Sequence, residues 1–262
     1  MGELAVILVW PALAGYLEAA VAYVGDGVRP GRLSRWAIWG VRIGWLAQTA
    51  LLIVQAARAE GFPWGTWAAS LNLFVWLVVG VYLIWGCRTP YRLLGLVVMP
   101  LAAVLFVVAW LSGGVGEEGR SEVGDVFLAF HVGLILAAFA GFTLAAALAG
   151  LYLWQERRLK GHAPGVLRQR APSQAALDAL TGRTILVALP ALTLGLAVGF
   201  ARLGSEGGGF DALMAVALLT WAAYASFLVL RYEAGWRGRR SAYLALGAFA
   251  LVAAALVPVA HF

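Results

Sequence analysis

His131 and His261 are two of only three histidines in a chain of 262 residues, and they stand half the chain apart. Neutral imidazole is a good ligand for transition metals and for haem iron. Two such rings from different elements could clamp one metal, or one flat metallo-macrocycle, if the fold brought them to one face. The competing reading is two unrelated histidines, each tolerated in the wet headgroup zone of a membrane. The third, His162, lies beside Gly161 and Ala163-Pro164 in a basic stretch and reads as a solvated loop residue.

Which reading holds depends on the elements that carry these rings. The chain is 63% hydrophobic and 12% charged, with a mean hydropathy of +0.86. A soluble domain is about 45–50% apolar and about 25% charged, so the composition is that of a polytopic membrane protein packed helix on helix. A single cysteine, Cys87, excludes a disulfide framework and a CxxC redox pair, and without CxxCH the chain is not itself a c-type cytochrome. It carries no GxxxxGK[ST] loop, so coupling to ATP is not encoded. The opening Met1-Gly2-Glu3-Leu4 lacks the basic n-region of a cleavable signal peptide, and the first apolar stretch is expected to stay as a membrane helix.

About 20 apolar residues span a bilayer as a helix. Eight stretches qualify, roughly 4–24, 36–57, 67–86, 93–113, 127–154, 184–203, 210–231 and 242–261. The expected fold is therefore all-α, a single transmembrane domain over 1–262 with eight transmembrane helices. The net charge of +6 does not point to nucleic acid, because the basic residues fall in short loops. The loops after spans 1, 3, 5 and 7 hold three, two, six and four of them, fifteen of the nineteen Lys and Arg. Glu60, Glu117, Glu118, Glu122, Asp125, Glu206 and Asp211 gather on the opposite side. The positive-inside rule then puts both termini on the outer, periplasmic or extracellular side of the inner membrane. His131, near the outer end of span 5, and His261, at the outer end of span 8, fall at the same depth.

Other polar and aromatic residues qualify this picture. Trp64 and Trp67 sit in an outer segment, Phe62-Pro63-Trp64-Gly65-Thr66-Trp67, and read either as belt anchors or as a surface for a flat ligand. Arg58 and Arg202, from outer loops, are candidates to pair with the carboxylates of such a ligand. Glu18 and Arg42 are a candidate ion pair between spans 1 and 2. Gln48 and Asn72 read as glue between helices. The stretch Pro172 to Leu180 reads as a short, capped helix lying on the surface of a cytoplasmic loop spanning about 155–183.

Three stretches resemble the membrane haem-handling family of cytochrome c assembly, the CcsA, CcmC and HemX-like proteins. The first is His131-Val132-Gly133-Leu134-Ile135-Leu136, followed by Leu151-Tyr152-Leu153-Trp154-Gln155-Glu156. The second is Leu177-Asp178-Ala179-Leu180-Thr181-Gly182-Arg183, running into Leu192-Thr193-Leu194-Gly195. The third is Leu219-Thr220-Trp221-Ala222-Ala223-Tyr224, then Arg231 and Gly235-Trp236-Arg237-Gly238-Arg239-Arg240-Ser241. The resemblance implies one haem b at the outer face with His131 and His261 as its two axial ligands. It also implies an assembly factor rather than a stand-alone enzyme, with an apocytochrome c or another assembly subunit as partner.

This chain departs from the family pattern in two places. The Trp-rich outer segment is replaced by Gly204-Ser205-Glu206-Gly207-Gly208-Gly209-Phe210-Asp211, where Asp211 alone is a possible remnant, and the early-span histidine is replaced by Gln48. Both losses point to a HemX-like or minimal member. The expected function is presentation or relay of haem. One alternative is a non-catalytic membrane adaptor for a cytoplasmic haem-biosynthesis enzyme, the glutamyl-tRNA reductase. A quinone-binding electron-transfer subunit is a third reading.

Overall fold

Backbone N–H and C=O groups find no partner in lipid, so long apolar runs must satisfy them internally as helices. The computed structural model describes residues 3–28, 34–58, 63–85, 94–115, 126–161, 172–206 and 212–259. His261, Asp211 and His162 lie outside them. The elements are α1 (Glu3–Val28), α2 (Ser34–Arg58), α3 (Trp67–Trp85), α4 (Gly95–Leu111), α5 (Val126–Lys160), α6 (Gln174–Glu206), α7 (Ala212–Tyr232) and α8 (Arg239–Val259). Six of them, α1, α2, α3, α5, α6 and α7, are long and apolar enough to cross a membrane, and α4 is apolar but shorter. Their centres follow the spans read from hydropathy. The largest difference is at α6, which begins ten residues early. Ser173 caps it, its Oγ accepting from Ala176 N–H at 3.1 Å. The stretch 174–180 does not lie on the surface as a separate helix. It is the first two turns of α6, with Leu177 and Leu180 buried.

The helices form two compact units, α1–α4 and α5–α8. In the first, α1 and α2 approach closely through glycines. A Cβ on Gly15 would stand 2.6 Å from the Gly40 carbonyl, and one on Gly40 would stand 2.9 Å from the Gly15 carbonyl. Small residues at such spacing let membrane helices touch backbone to backbone, and Gly40 and Gly44 form the four-residue repeat. Gly40→Leu is therefore expected to cost about 1–3 kcal/mol by overpacking, read as a lower unfolding midpoint in detergent. Gly247→Leu on α8, where a Cβ meets nothing within 4 Å, should leave that midpoint in place.

A buried polar chain ties α1, α2 and α3 together. Tyr16 donates to Gln48 Oε1 at 2.5 Å, and Gln48 Nε2 donates to Asn72 Oδ1 at 2.8 Å and to Asn72 O at 3.0 Å. Asn72 Nδ2 donates in turn to Gln55 Oε1, and Gln55 Nε2 reaches the Gly114 carbonyl beyond α4. Gln48 and Asn72 are thus glue between helices, as their types suggested. Trp45 and Trp76 stack at 5.2 Å between α2 and α3. Glu18 and Arg42 do not pair: both are exposed, and the Arg42 guanidinium lies 5.5 Å over the Trp39 ring.

In the second unit, Gly141 of α5 faces Ala188 of α6 closely enough that a Cβ would stand 2.8 Å from the alanine methyl. Phe142 of α5 and Tyr224 of α7 stack at 3.7 Å with their rings 5° apart. The α7–α8 turn requires two glycines in the left-handed region, Gly235 at φ +68° and Gly238 at φ +66°. They fold the chain back so that Trp236 N–H reaches the Leu230 carbonyl at 3.0 Å.

Candidate functional site

His131 stands in the second turn of α5, partly exposed. Its Nδ1 lies 2.7 Å from the carbonyl oxygen of Gly195 on α6. A carbonyl can only accept, so Nδ1 carries the proton and the Nε2 lone pair of the neutral ring is left for another partner. Metal-bound histidines are held in this way, with the far ring nitrogen donating to a carboxylate or a backbone carbonyl that fixes tautomer and orientation.

Two glycines of α6 make this contact possible. A Cβ at Gly199 would stand 2.6 Å from His131 Cε1 and 3.1 Å from Nδ1. A Cβ at Gly195 would stand 2.9 Å from Cγ1 of Ile135, one turn further along α5. Gly199 thus leaves the space the imidazole occupies, and Gly195 lets α5 come close enough for the ring to reach its carbonyl. The Gly-x-x-x-Gly spacing was visible in the sequence, but nothing local tied it to His131. The donor set fits a haem or metal ligand: one imidazole, oriented by a backbone carbonyl, on the surface of a helix pair.

The other residues singled out from sequence fall elsewhere. Trp64 and Trp67 belong to the α1–α4 unit. Trp64 precedes α3, its carbonyl accepting from Ser70 Oγ at 2.7 Å, and Trp67 opens α3 with 61% of its surface exposed. Arg58 is the exposed last residue of α2. Arg202 lies in the closing turns of α6, and its side chain is outside the described set. His261 and Asp211 are outside the described residues altogether, so His131 is the one proposed iron ligand with a described environment.

At the opposite end of the same helices, sequence reading passed over a second constellation. Asp178 of α6 and Arg231 of α7 form a two-pronged ion pair. Arg231 Nη1 donates to Oδ1 at 3.0 Å and Nη2 to Oδ2 at 2.9 Å. Arg231 also donates to Asp178 O and to Ser241 Oγ, and Gly238 N–H donates to Asp178 Oδ1 at 2.9 Å. The guanidinium packs directly on Gly182, one turn beyond Asp178, where any Cβ would overlap it. Tyr152 of α5 covers Gly238. This clamp accounts for the Asp-x-x-x-Gly and Gly-x-x-Gly-x-x-Ser spacings of 178–182 and 235–241. It joins three helices through four hydrogen bonds from Arg231 and one from Gly238 N–H.

Comparison with known proteins places these features in a family. The sequence profile described as "Cytochrome C assembly protein" matches residues 64–259, which include α3 to α8 and both constellations. The protein HemX of Brevibacillus brevis is 28% identical over 189 residues, covering 70% of this chain and 68% of that protein. The cytochrome c biogenesis protein CcsA of Microcystis aeruginosa is 26% identical, covering 81% and 80%. The CcsA of Porphyra purpurea is 26% identical, covering 92% and 89%. No solved structure matches the chain. With apolar helices, the glycine-lined histidine and the α6–α7–α8 clamp all inside the matched region, the chain is a multi-pass membrane protein and belongs to the cytochrome c assembly family.

Proposed function

We propose that this protein binds one haem b at the outer face of the cytoplasmic membrane and presents or relays it for cytochrome c assembly. The observation that carries this reading is the His131 ring, held by Gly195 O through Nδ1 so that the Nε2 lone pair is left to face a ligand. His261 would supply the second axial position. Arg58, Arg202, Trp64, Trp67 and Asp211 are the candidates to hold the porphyrin edge and its propionates. When bound, the haem supplies an iron whose affinity and potential follow its axial ligands and their surroundings. The chain's own part is to fix the imidazole, shield it with apolar helices and offer it near the membrane surface.

The apolar runs support eight spans forming one domain, and the distribution of Lys and Arg supports both termini outside. In that topology the partner at the outer face is an apocytochrome c or another assembly subunit. The second reading is a non-catalytic, HemX-like adaptor whose basic 155–183 loop recruits a cytoplasmic haem-biosynthesis enzyme, the glutamyl-tRNA reductase.

The deciding measurement is haem content of the detergent-purified chain by pyridine haemochrome, with the absorption spectrum. Near-stoichiometric low-spin haem is expected, turned high-spin or lost in His131→Ala and His261→Ala. A haem-free protein after expression with added haem precursor would overturn the reading and leave the adaptor.

A further inference from the structure

The Asp178–Arg231 clamp forms the floor of an open cavity of about 550 Å³. It is bounded by the end of α5, the start of α6 and the α7–α8 turn. Inside the clamp the charges cancel. Asp178 accepts three hydrogen bonds on its carboxylate, and Arg231 donates to that carboxylate, to Asp178 O and to Ser241. What remains on the wall is basic. Arg183, two turns into α6, and Arg237, in the turn before α8, both line the cavity and are exposed. Neither has a carboxylate partner among the described residues. The nearby Glu156 is engaged by Lys160 at 2.7 Å and by Arg239 at 4.0 Å. Tyr152, Tyr232 and Gln174 add neutral donors to the lining, and Ala175 and Ala179 give it an apolar side.

A cavity with two spare guanidiniums, hydroxyl and amide donors, and no spare carboxylate selects an anion. Guanidinium forks match phosphate oxygens with paired, charge-assisted hydrogen bonds. The cavity opens where α5 and α7 end and α6 begins, at headgroup level for membrane-spanning helices, and basic pockets between such helices take up anionic headgroups. We propose that this cavity is a phosphate-binding site in which Arg183 and Arg237 are the charged contacts. The same chemistry is offered by a phospholipid headgroup and by a soluble phosphate. The inference uses neither His131 nor haem, so it stands or falls separately from the proposed function.

The test uses the full chain in detergent and native mass spectrometry. It is titrated with phosphatidylglycerol, with zwitterionic phosphatidylcholine and, separately, with inorganic phosphate. One phosphatidylglycerol is expected to bind at least about tenfold more tightly than phosphatidylcholine, the effect of charge-assisted contacts. Arg183→Gln and Arg237→Gln should each remove most of that preference. Arg158→Gln, basic but stacked on Trp154 away from the cavity, should retain it. Binding of inorganic phosphate that is lost in the same two variants, without a lipid preference, would assign the site to a soluble phosphate. Both arginines are exposed, so unfolding midpoints without ligand should match the parent and exclude misfolding as the cause. The proposal is overturned if neither lipid preference nor phosphate binding depends on Arg183 and Arg237, or if Arg158→Gln is equally impaired.

Discussion

Asp178→Ala lowers stability by about 3–5 kcal/mol, the expected result of removing one partner from a buried ion pair. The two side chains are 9% and 11% exposed, so the Arg231 guanidinium left behind cannot recover full hydration. Its neighbours offer little relief. Ser241 Oγ already takes one donor, and Gly182 gives it only a bare backbone surface. Gly238 N–H loses its acceptor as well, which loosens the turn that starts α8. Arg231→Met alone is expected to cost a similar amount, by leaving the carboxylate unpaired. Asp178→Ala combined with Arg231→Met should cost less than the two single changes added together, because no buried charge remains. Denaturant or thermal unfolding in detergent measures all three. Single-variant losses under about 1 kcal/mol, the range of an exposed pair, would show that the clamp does not hold the helices together.

Gly199→Ala has a small effect on folding and a large one on the His131 ring. The added methyl would sit 2.6 Å from Cε1, and the atom in its way is the end of a side chain that can rotate. The helix pair therefore keeps its packing while the imidazole swings off the Gly195 carbonyl. Nitrogen-15 NMR of the histidine in the haem-free chain reads this directly, as loss of the fixed Nδ1–H tautomer. On the haem reading, affinity falls about 10- to 100-fold, the usual cost of removing the partner that orients a metal-binding histidine. Gly150→Ala, where a Cβ meets nothing within 4 Å, is the control. If the tautomer survives Gly199→Ala, the space at Gly199 does not orient His131. If the tautomer is lost and haem affinity does not change, His131 is oriented but is not an axial ligand.

Much of this organisation was legible in the residues. Each apolar run became a helix where hydropathy put one, because the rule involved is local. Gln48 and Asn72 were read as interhelical glue by type alone, since an amide inside an apolar helix needs a partner nearby. Pairings were less accessible. Glu18 and Arg42 have complementary charge and lie in neighbouring helices, yet both side chains face outward. The turn from Pro172 to Leu180 was correctly read as capped and helical. Its burial is not readable locally, because Leu177 and Leu180 look amphipathic until the neighbouring helices are in place.

The all-α membrane class and the motifs that place the chain in its family follow from the residues alone. Those depend on composition, periodicity and short spacings, which act along one dimension. That Gly195 and Gly199 bear on His131, and that Asp178, Arg231, Gly238 and Ser241 form one clamp, emerges with the packing of the helices. Such contacts depend on how each helix is rotated about its axis and where it crosses its neighbour. A step of one residue turns a helix face by about 100°, and many rotations bury a uniformly apolar helix about equally well. Close glycine contacts and buried polar pairs single out one of those rotations. They do so only once the partner helix is in place.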